Sequence, residues 1–210
     1  MRLIKYGHAC VRLEVGDRVL VIDPGVFTEA EALDGATDVL VTHEHPDHLD
    51  ADKLAAARLR EPALRVHLPQ AAAAEVPELG DALVPVEPGQ RFTAAGFGVE
   101  VVGGRHAEIY DGLPGCANVG YLVEGDVYHP GDSLFVPSSP VTTLLVPAAA
   151  PWLKLAEALD FVRAVRPARA FPIHDATLND LGRDYFAQWM EFKGETAYLD
   201  IATGESAALG

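Results

Sequence analysis

The chain has 210 residues, a formal net charge of −15 with histidine neutral, and a composition that is 49% hydrophobic, which together predict one domain over residues 1–210 with a sizeable core. The excess of acidic residues disfavours nucleic acid as a partner, because binding a phosphate backbone requires clustered lysine and arginine. No apolar run reaches membrane-spanning length and the first residues are too charged for a signal peptide, so we expect a cytoplasmic protein without a membrane partner.

The first part of the chain is predicted to be rich in strands. Short apolar segments bounded by turns predict strands over residues 3–6, 10–15, 18–22, 38–42 and 65–68. Gly16-Asp17 is typical of a two-residue hairpin turn. Helices are expected over residues 54–60 and 70–76, each ended by a following proline.

The second part repeats this order. Further strands are predicted within residues 82–103 and over 118–124, 126–128, 141–146, 168–171 and 197–201. A helix is expected from Pro151 to Arg166, with Trp152, Leu155, Leu159 and Val162 on one face. A last helix through Trp189 would be capped by Asn179 or Asp180. The order predicts an α/β fold with two similar halves, each with a sheet and outer helices.

A cluster of metal-binding side chains follows the predicted strand over residues 38–42. It reads His43-Glu44-His45-Pro46-Asp47-His48, and imidazole and carboxylate together suit Zn, Mn, Fe or Ni. The alternative is an exposed histidine-rich loop that binds metal by accident. Three more candidate ligands, each after an apolar stretch, argue against that alternative: His106, Asp132 and His174.

The segment from Thr42 to His48, followed in order by His106, Asp132 and His174, resembles the metallo-β-lactamase superfamily. The resemblance covers nearly the whole chain. The segments Gly7-His8-Ala9-Cys10 and His129-Pro130-Gly131-Asp132-Ser133 look most like its lactonase-like and uncharacterised metal-dependent hydrolase branches. It implies a four-layer αββα sandwich with the site at one edge, between the two sheets.

The resemblance also implies two metal sites. The first ion would be held by His43, His45 and His106, and the second by Asp47, His48 and His174. Asp132 would bridge both. Two divalent ions are expected, with zinc as the first candidate and Mn, Fe and Ni left open. All these ligands offer nitrogen or oxygen and none is a soft thiolate, so the ligand types alone do not choose zinc over manganese.

The activity that the resemblance implies is hydrolysis of a small molecule. A hydroxide bridging the two ions would attack an ester-like bond of a lactone, thioester or phosphodiester. Asp132 would fix the metal spacing, and Asp47 would also orient the nucleophile or shuttle a proton. Two alternatives remain open: a metal-binding sensor or scaffold without turnover, and a single-iron, oxygen-using member of the same fold.

Several neighbouring residues fit either a site role or a scaffold role. His8 lines the site or is a structural histidine, and His129 supports a ligand or only ends a strand. Asp23 and Asp175 are candidates to accept a hydrogen bond from a metal-bound imidazole. His67, between apolar residues, is expected to be structural.

Three further features concern the substrate and the assembly. Arg105 meets an anionic substrate or is solvated, and Trp152 walls the pocket or anchors the core. The glycine-rich segment over residues 109–116 is the candidate for a mobile substrate lid. Cys10 and Cys116 are too few for a disulfide framework. The sequence leaves a homo-oligomer open.

Overall fold

The computed structural model describes residues 1–113 and 115–210, and two β-sheets form its centre. The first six strands are β1 (Arg2–Lys5), β2 (Val11–Val15), β3 (Arg18–Ile22), β4 (Asp38–Leu40), β5 (Arg65–Pro69) and β6 (Leu83–Val86). The remaining strands are β7 (Arg91–Ala94), β8 (Phe97–Gly103), β9 (Val119–Val123), β10 (Val127–His129), β11 (Thr143–Pro147), β12 (Arg169–Ile173), β13 (Ala197–Tyr198) and β14 (Ser206–Ala208).

Four α-helices in these ranges connect or flank the strands. They are α1 (Ala51–Arg60), α2 (Gln70–Glu75), α3 (Leu155–Val165) and α4 (Asp180–Lys193), and short 3-10 helices lie at Ala30–Leu33 and Pro77–Ala82. Among the described residues, every helix is too short or too polar to cross a lipid bilayer.

Strand pairing follows the same plan in both sheets. In the described ranges each sheet has seven strands, in the orders β14-β1-β2-β3-β4-β5-β6 and β7-β8-β9-β10-β11-β12-β13. The first three pairings of each series are antiparallel. The last three are parallel, and helices lie in every connection between these parallel strands except that from β10 to β11.

Alternation of side chains along the strands builds the layers. Leu20 and Ile22 of β3 point into the core between the two sheets, while Val19 and Val21 pack on the opposite face against the first helix layer. The outer face of the second sheet is covered in the same way by α3 and α4, which contribute Phe161 among others. The predicted four-layer αββα sandwich with two similar halves is therefore confirmed.

Two elements differ from the prediction. Helix α3 begins at Leu155 rather than at Pro151, because the Glu157 carboxylate accepts a hydrogen bond from the Lys154 N–H at 2.8 Å and fixes the start there. Trp152 therefore lies in the loop before the helix. Strand β14 was not predicted, since its short sequence is a strand only through its pairing with β1, about two hundred residues away in the chain.

Candidate metal centre

The side chains predicted to bind metal all lie at one edge of the sandwich, in loops that follow strands of both sheets. The segment from His43 to His48 follows β4, His106 follows β8, Asp132 follows β10 and His174 follows β12. Two sets of ligand atoms, each within 4.8 Å of one another, are His43, His45, His106 and Asp132, and His8, Asp47, His48 and His174. The structure thus brings all seven predicted ligands together and adds His8.

Asp132 lies between the two sets. Its Oδ1 is 3.0 Å from Nε2 of His48, and its Oδ2 is 3.1 Å from Nε2 of His174 and 3.3 Å from Nε2 of His106. The two carboxylate oxygens therefore face ligands of both sets. This is the position that a bridging carboxylate requires.

The centre contains buried polar atoms that lack a hydrogen-bond partner among the described residues. They are Nε2 of His48, His106 and His174, and Oδ1 of Asp132. A buried polar group without a partner costs about 1–3 kcal/mol, so four facing one another indicate that something binds between them. Imidazole nitrogen and carboxylate oxygen are ligands for Zn, Mn, Fe or Ni, and the residues present fit such ions.

Hydrogen bonds on the far side of the rings orient four histidines. Nδ1 of His43 lies 2.9 Å from the Thr42 hydroxyl, and Nδ1 of His48 lies 2.7 Å from the Asp23 carboxylate. His106 and His174 donate through Nδ1 to backbone carbonyls at 2.5 and 2.6 Å. In the neutral ring each bond places the proton on Nδ1 and leaves the Nε2 lone pair facing the centre, as a metal ligand must.

His45 is oriented differently. Its Nδ1 lies 3.0 Å from Nε2 of His43, so Nδ1 is the nitrogen that faces the centre. Its Nε2 points outward and lies 4.0 Å from Sγ of Cys116. Burial raises the pKa of Cys116 to about 11, and its sulfur lies on the outward side of the His45 ring, outside both sets of candidate ligand atoms. The ligand set is therefore one of nitrogen and oxygen, as the sequence predicts.

The charges in the centre are strongly coupled. Burial lowers the pKa of His174, but the Asp132 and Asp47 carboxylates outweigh it and raise the pKa to about 9. Burial likewise opposes charge on His48, yet Asp132 and Asp23 raise its pKa well above the usual range. In the absence of an ion, protonated His48 and His174 thus supply positive charge beside the Asp132 carboxylate.

Trp152 contacts the centre, although its spacing in the sequence also fits the apolar face of a helix. Its indole Nε1–H donates to Oδ2 of Asp132 at 3.0 Å. Its ring meets those of His106 and His174 edge-on, with centroids 6.0 and 6.3 Å away. Trp152 therefore contacts side chains of the candidate centre, and its role as a wall of the substrate pocket stays a prediction.

Two of the neighbouring residues serve the scaffold. Asp175 accepts a hydrogen bond from Lys5 Nζ at 2.8 Å, so the expectation that it would orient an imidazole is wrong. His129 donates through Nε2 to the Ala9 carbonyl at 2.8 Å. His67 pairs with the Asp38 carboxylate at 2.7 Å, outside the centre.

A small cavity of about 110 Å³ opens beside the first set of ligands. Its lining consists of His45, Arg105, His106, Ala107, Glu108, Ile109, Leu113, Gly115 and Cys116. Because two predicted ligands form part of this wall, a molecule in the cavity would adjoin the metal centre. The lining also includes much of the predicted lid over residues 109–116. Pro114 of that segment lies outside the described residues, and the mobility of the lid stays a prediction.

Comparisons with known proteins show the family to which the chain is similar and support the fold. A family model described as a beta-lactamase superfamily domain matches residues 2–174. Protein Rv0786c of Mycobacterium tuberculosis is 43% identical over 184 residues, which is 84% of each chain. The UPF0173 metal-dependent hydrolase SPO2976 of Ruegeria pomeroyi is 34% identical over 149 residues, covering 63% of this chain and 64% of that protein. The solved structure of Igni18, a metallo hydrolase from Ignicoccus hospitalis, covers 98% of this chain and 97% of its own, with a TM-score of 0.75 and 20% identity.

Proposed function

This chain belongs to the beta-lactamase superfamily and is a metal-dependent hydrolase, and on that premise we propose that it uses two divalent ions to cleave an ester-like bond of a small molecule. Zinc is the first candidate ion, and a lactone, a thioester or a phosphodiester is the candidate substrate. The observation that carries the proposal is the position of Asp132, whose two oxygens lie 3.0 to 3.3 Å from ligands of both sets.

The residues of the centre fit the parts of this reaction. A pair of bound ions supplies Lewis acidity and lowers the pKa of water to about 7. His43, His45 and His106 would hold one ion, and Asp47, His48 and His174 the other. Asp132 would fix the spacing between them. The side chain of Asp47 is 26% exposed, against 4% for Asp132, so Asp47 is the carboxylate placed to orient a water molecule and accept its proton.

The surroundings of the centre support chemistry on small molecules. The cavity beside His45 and His106 has a volume of about 110 Å³, which suits part of a small substrate rather than a polymer. Arg105 lines the same cavity and would meet an anionic part of that substrate. We also propose a cytosolic location, in keeping with Cys10 and Cys116, which are both free thiols in the described structure.

The first experiment is elemental analysis of protein purified without added metal. We expect close to two equivalents of zinc or manganese per chain in the wild type. The variants His45→Ala and Asp132→Ala should lose both the metal and the ability to hydrolyse lactones, thioesters or phosphodiesters. His67→Ala is the matched control, since it removes a histidine bonded to Asp38 outside the centre and should keep its metal.

Three outcomes would contradict the proposal. Full activity in a metal-free His45→Ala protein would exclude a metal-dependent reaction. One equivalent of iron would favour the oxygen-using alternative, because one of the two ligand sets would then be idle. Two firmly bound ions without turnover on any of the three substrate classes would favour the sensor or scaffold alternative.

A further inference from the structure

His8 lies beside the second set of ligands in a backbone conformation that histidine rarely adopts. Its φ is +62°, in the left-handed region, where a residue other than glycine costs about 1–2 kcal/mol. Its side chain is only 1% exposed. Glycine would relieve this strain at once, so the presence of histidine suggests that its side chain has a use.

The hydrogen bonds of His8 determine which ring nitrogen carries the proton. The Ala176 N–H donates to Nδ1 of His8 at 3.3 Å, and the His174 N–H donates to its backbone carbonyl at 3.0 Å. A neutral imidazole has one acceptor and one donor nitrogen, so a ring that accepts at Nδ1 has its proton on Nε2. That Nε2 lies 3.0 Å from Oδ2 of Asp47. His8 therefore donates to the Asp47 carboxylate.

This assignment separates His8 from the ligands that surround it. A metal ligand must present a lone pair, and the Nε2 of His8 presents a proton. His48 and His174 have the opposite arrangement, with Nδ1 bonded outward and Nε2 free. His8 thus lies within ligand distance of the second set without being suited to bind an ion.

The ring of His8 is also held in place by packing. Its centroid lies 4.0 Å from that of His174, and the ring of Phe27 meets it edge-on at 5.3 Å. With His174 and Phe27 packed beside the ring and Nδ1 hydrogen-bonded, the orientation of the ring and the direction of its Nε2–H are fixed. That direction is toward Asp47, which sits in a loop and is partly exposed.

We propose that His8 is a positioning residue that holds the Asp47 carboxylate, through a hydrogen bond from Nε2–H, in the orientation required by the second metal ion. The inference rests on the proposed function, because it presumes that Asp47 binds that ion. Partners of this kind typically change metal affinity by about 10- to 100-fold when removed.

Two amide substitutions test the hydrogen bond directly. In His8→Asn the side-chain oxygen can replace Nδ1 as acceptor for Ala176, but the amide is too short to reach Asp47. In His8→Gln the amide nitrogen extends to about the place of Nε2 and can still donate to Asp47. Asparagine also tolerates a positive φ, so His8→Asn is expected to fold.

The measurement is zinc binding by the full chain at chelator-buffered zinc concentrations, with far-UV circular dichroism to verify folding. We expect His8→Asn to keep the first ion with wild-type affinity and to bind the second about 10- to 100-fold more weakly. His8→Gln should recover much of this loss. His67→Gln, at a buried histidine bonded to Asp38, is the matched control and should bind both ions normally.

The outcomes distinguish this inference from the function on which it rests. A folded His8→Asn protein that binds two ions with wild-type affinity would overturn the role of His8 alone, and so would His8→Asn and His8→Gln weakening the second site equally. A wild-type protein that binds fewer than two ions would overturn the proposed dinuclear centre and the role of His8 with it.

Discussion

The Oδ2 atom of Asp132 receives the indole N–H of Trp152 at 3.0 Å and also lies near two histidines. A carboxylate oxygen accepts along two lone-pair directions, so the indole occupies one and leaves the other for an ion. Oδ1 faces His48 and would be free to bind an ion. Trp152 would therefore help to orient this carboxylate toward the metals of the proposed centre.

Replacing Trp152 with phenylalanine tests this role, because phenylalanine keeps an aromatic ring and removes the indole N–H that donates to Asp132. We expect metal affinity to fall by about 10- to 100-fold, as measured by competition with a coloured chelator. Trp189→Phe is the control, since Trp189 packs against Phe192 on α4, away from the centre. An unchanged affinity in Trp152→Phe would show that the indole hydrogen bond has no influence on the metals.

The raised pKa of His174, about 9, predicts that metal binding displaces protons. Below pH 9 this imidazole carries a proton that must leave before Nε2 can bind an ion, so affinity should rise with pH up to about that value. At pH 7 we expect at least one proton released per chain, since the pKa of His48 is raised as well.

Calorimetry in buffers of different ionisation enthalpy measures the released protons. The count should decline as the pH passes 9, which provides an internal control. A count of zero at pH 7 would contradict the protonated state of the metal-free centre.

At the scale of elements, the loop after β10 packs closely against residues of the centre. Gly131 has a φ of +61°, and a Cβ there would overlap Oδ1 of Asn118 and lie 2.7 Å from Cβ and Oγ1 of Thr42. Asn118 accepts a hydrogen bond from the backbone N–H of Asp132 at 2.9 Å. The absence of a side chain at Gly131 thus lets the loop that carries Asp132 pack closely against Thr42 of the first sheet.

Gly131→Ala should therefore lower the free energy of unfolding by about 2–5 kcal/mol, combining backbone strain with overpacking, and should reduce the metal content. Gly125→Ala is the matched control, because Gly125 has a φ of +63° but nothing within 4 Å of its Cβ position. Gly125→Ala should lose only the free energy of unfolding that backbone strain costs, about 1–2 kcal/mol, and should keep its metal. Urea unfolding of both variants measures the difference, and equal losses would contradict the close approach.

The strands, helices and loops also differ in how well the sequence could predict them. Alternating apolar residues identified both ends of β3, and histidines and aspartates after predicted strands identified seven of the eight residues in the two sets of ligand atoms. These signals are local, or follow from a resemblance. The sequence left Trp152 as either a pocket wall or a core anchor, because its spacing also fits a helix face. The capping of α3 by Glu157 instead places Trp152 in the loop before the helix. The hydrogen bond of His8 escaped because it joins residues from two distant loops.

For the whole molecule, a buried ion pair joins the two halves. Lys5, at the end of β1 in the first sheet, contacts Asp175, which follows β12 in the second, and both side chains are at most 2% exposed. Arg183 of α4 lies 3.4 Å from the same carboxylate. Because Asp175 directly follows His174, this pair also secures the loop that carries a candidate ligand.

Lys5→Met should destabilise the protein by about 3 kcal/mol, at the low end for a broken buried pair because Arg183 still offsets part of the charge on Asp175. Thermal and urea unfolding measure the loss. The double variant Lys5→Met/Asp175→Leu should be less destabilised than Lys5→Met, since no buried carboxylate is then left unpaired. The account would be contradicted if the double variant lost as much free energy of unfolding as Lys5→Met and Asp175→Leu lose in total when made separately.

The shared pairing order of the two sheets places some residues of the centre in matching positions. Strands β1 and β8 hold the same place in their sheets, and His8 and His106 each stand three residues beyond them. Strands β3 and β10 also correspond, and they lead to Asp23 and Asp132. The centre is thus pseudosymmetric in its connectivity. In the second half, His106 and Asp132 face the proposed ions. In the first half, the equivalent residues His8 and Asp23 instead orient Asp47 and His48, so equivalent positions have different roles.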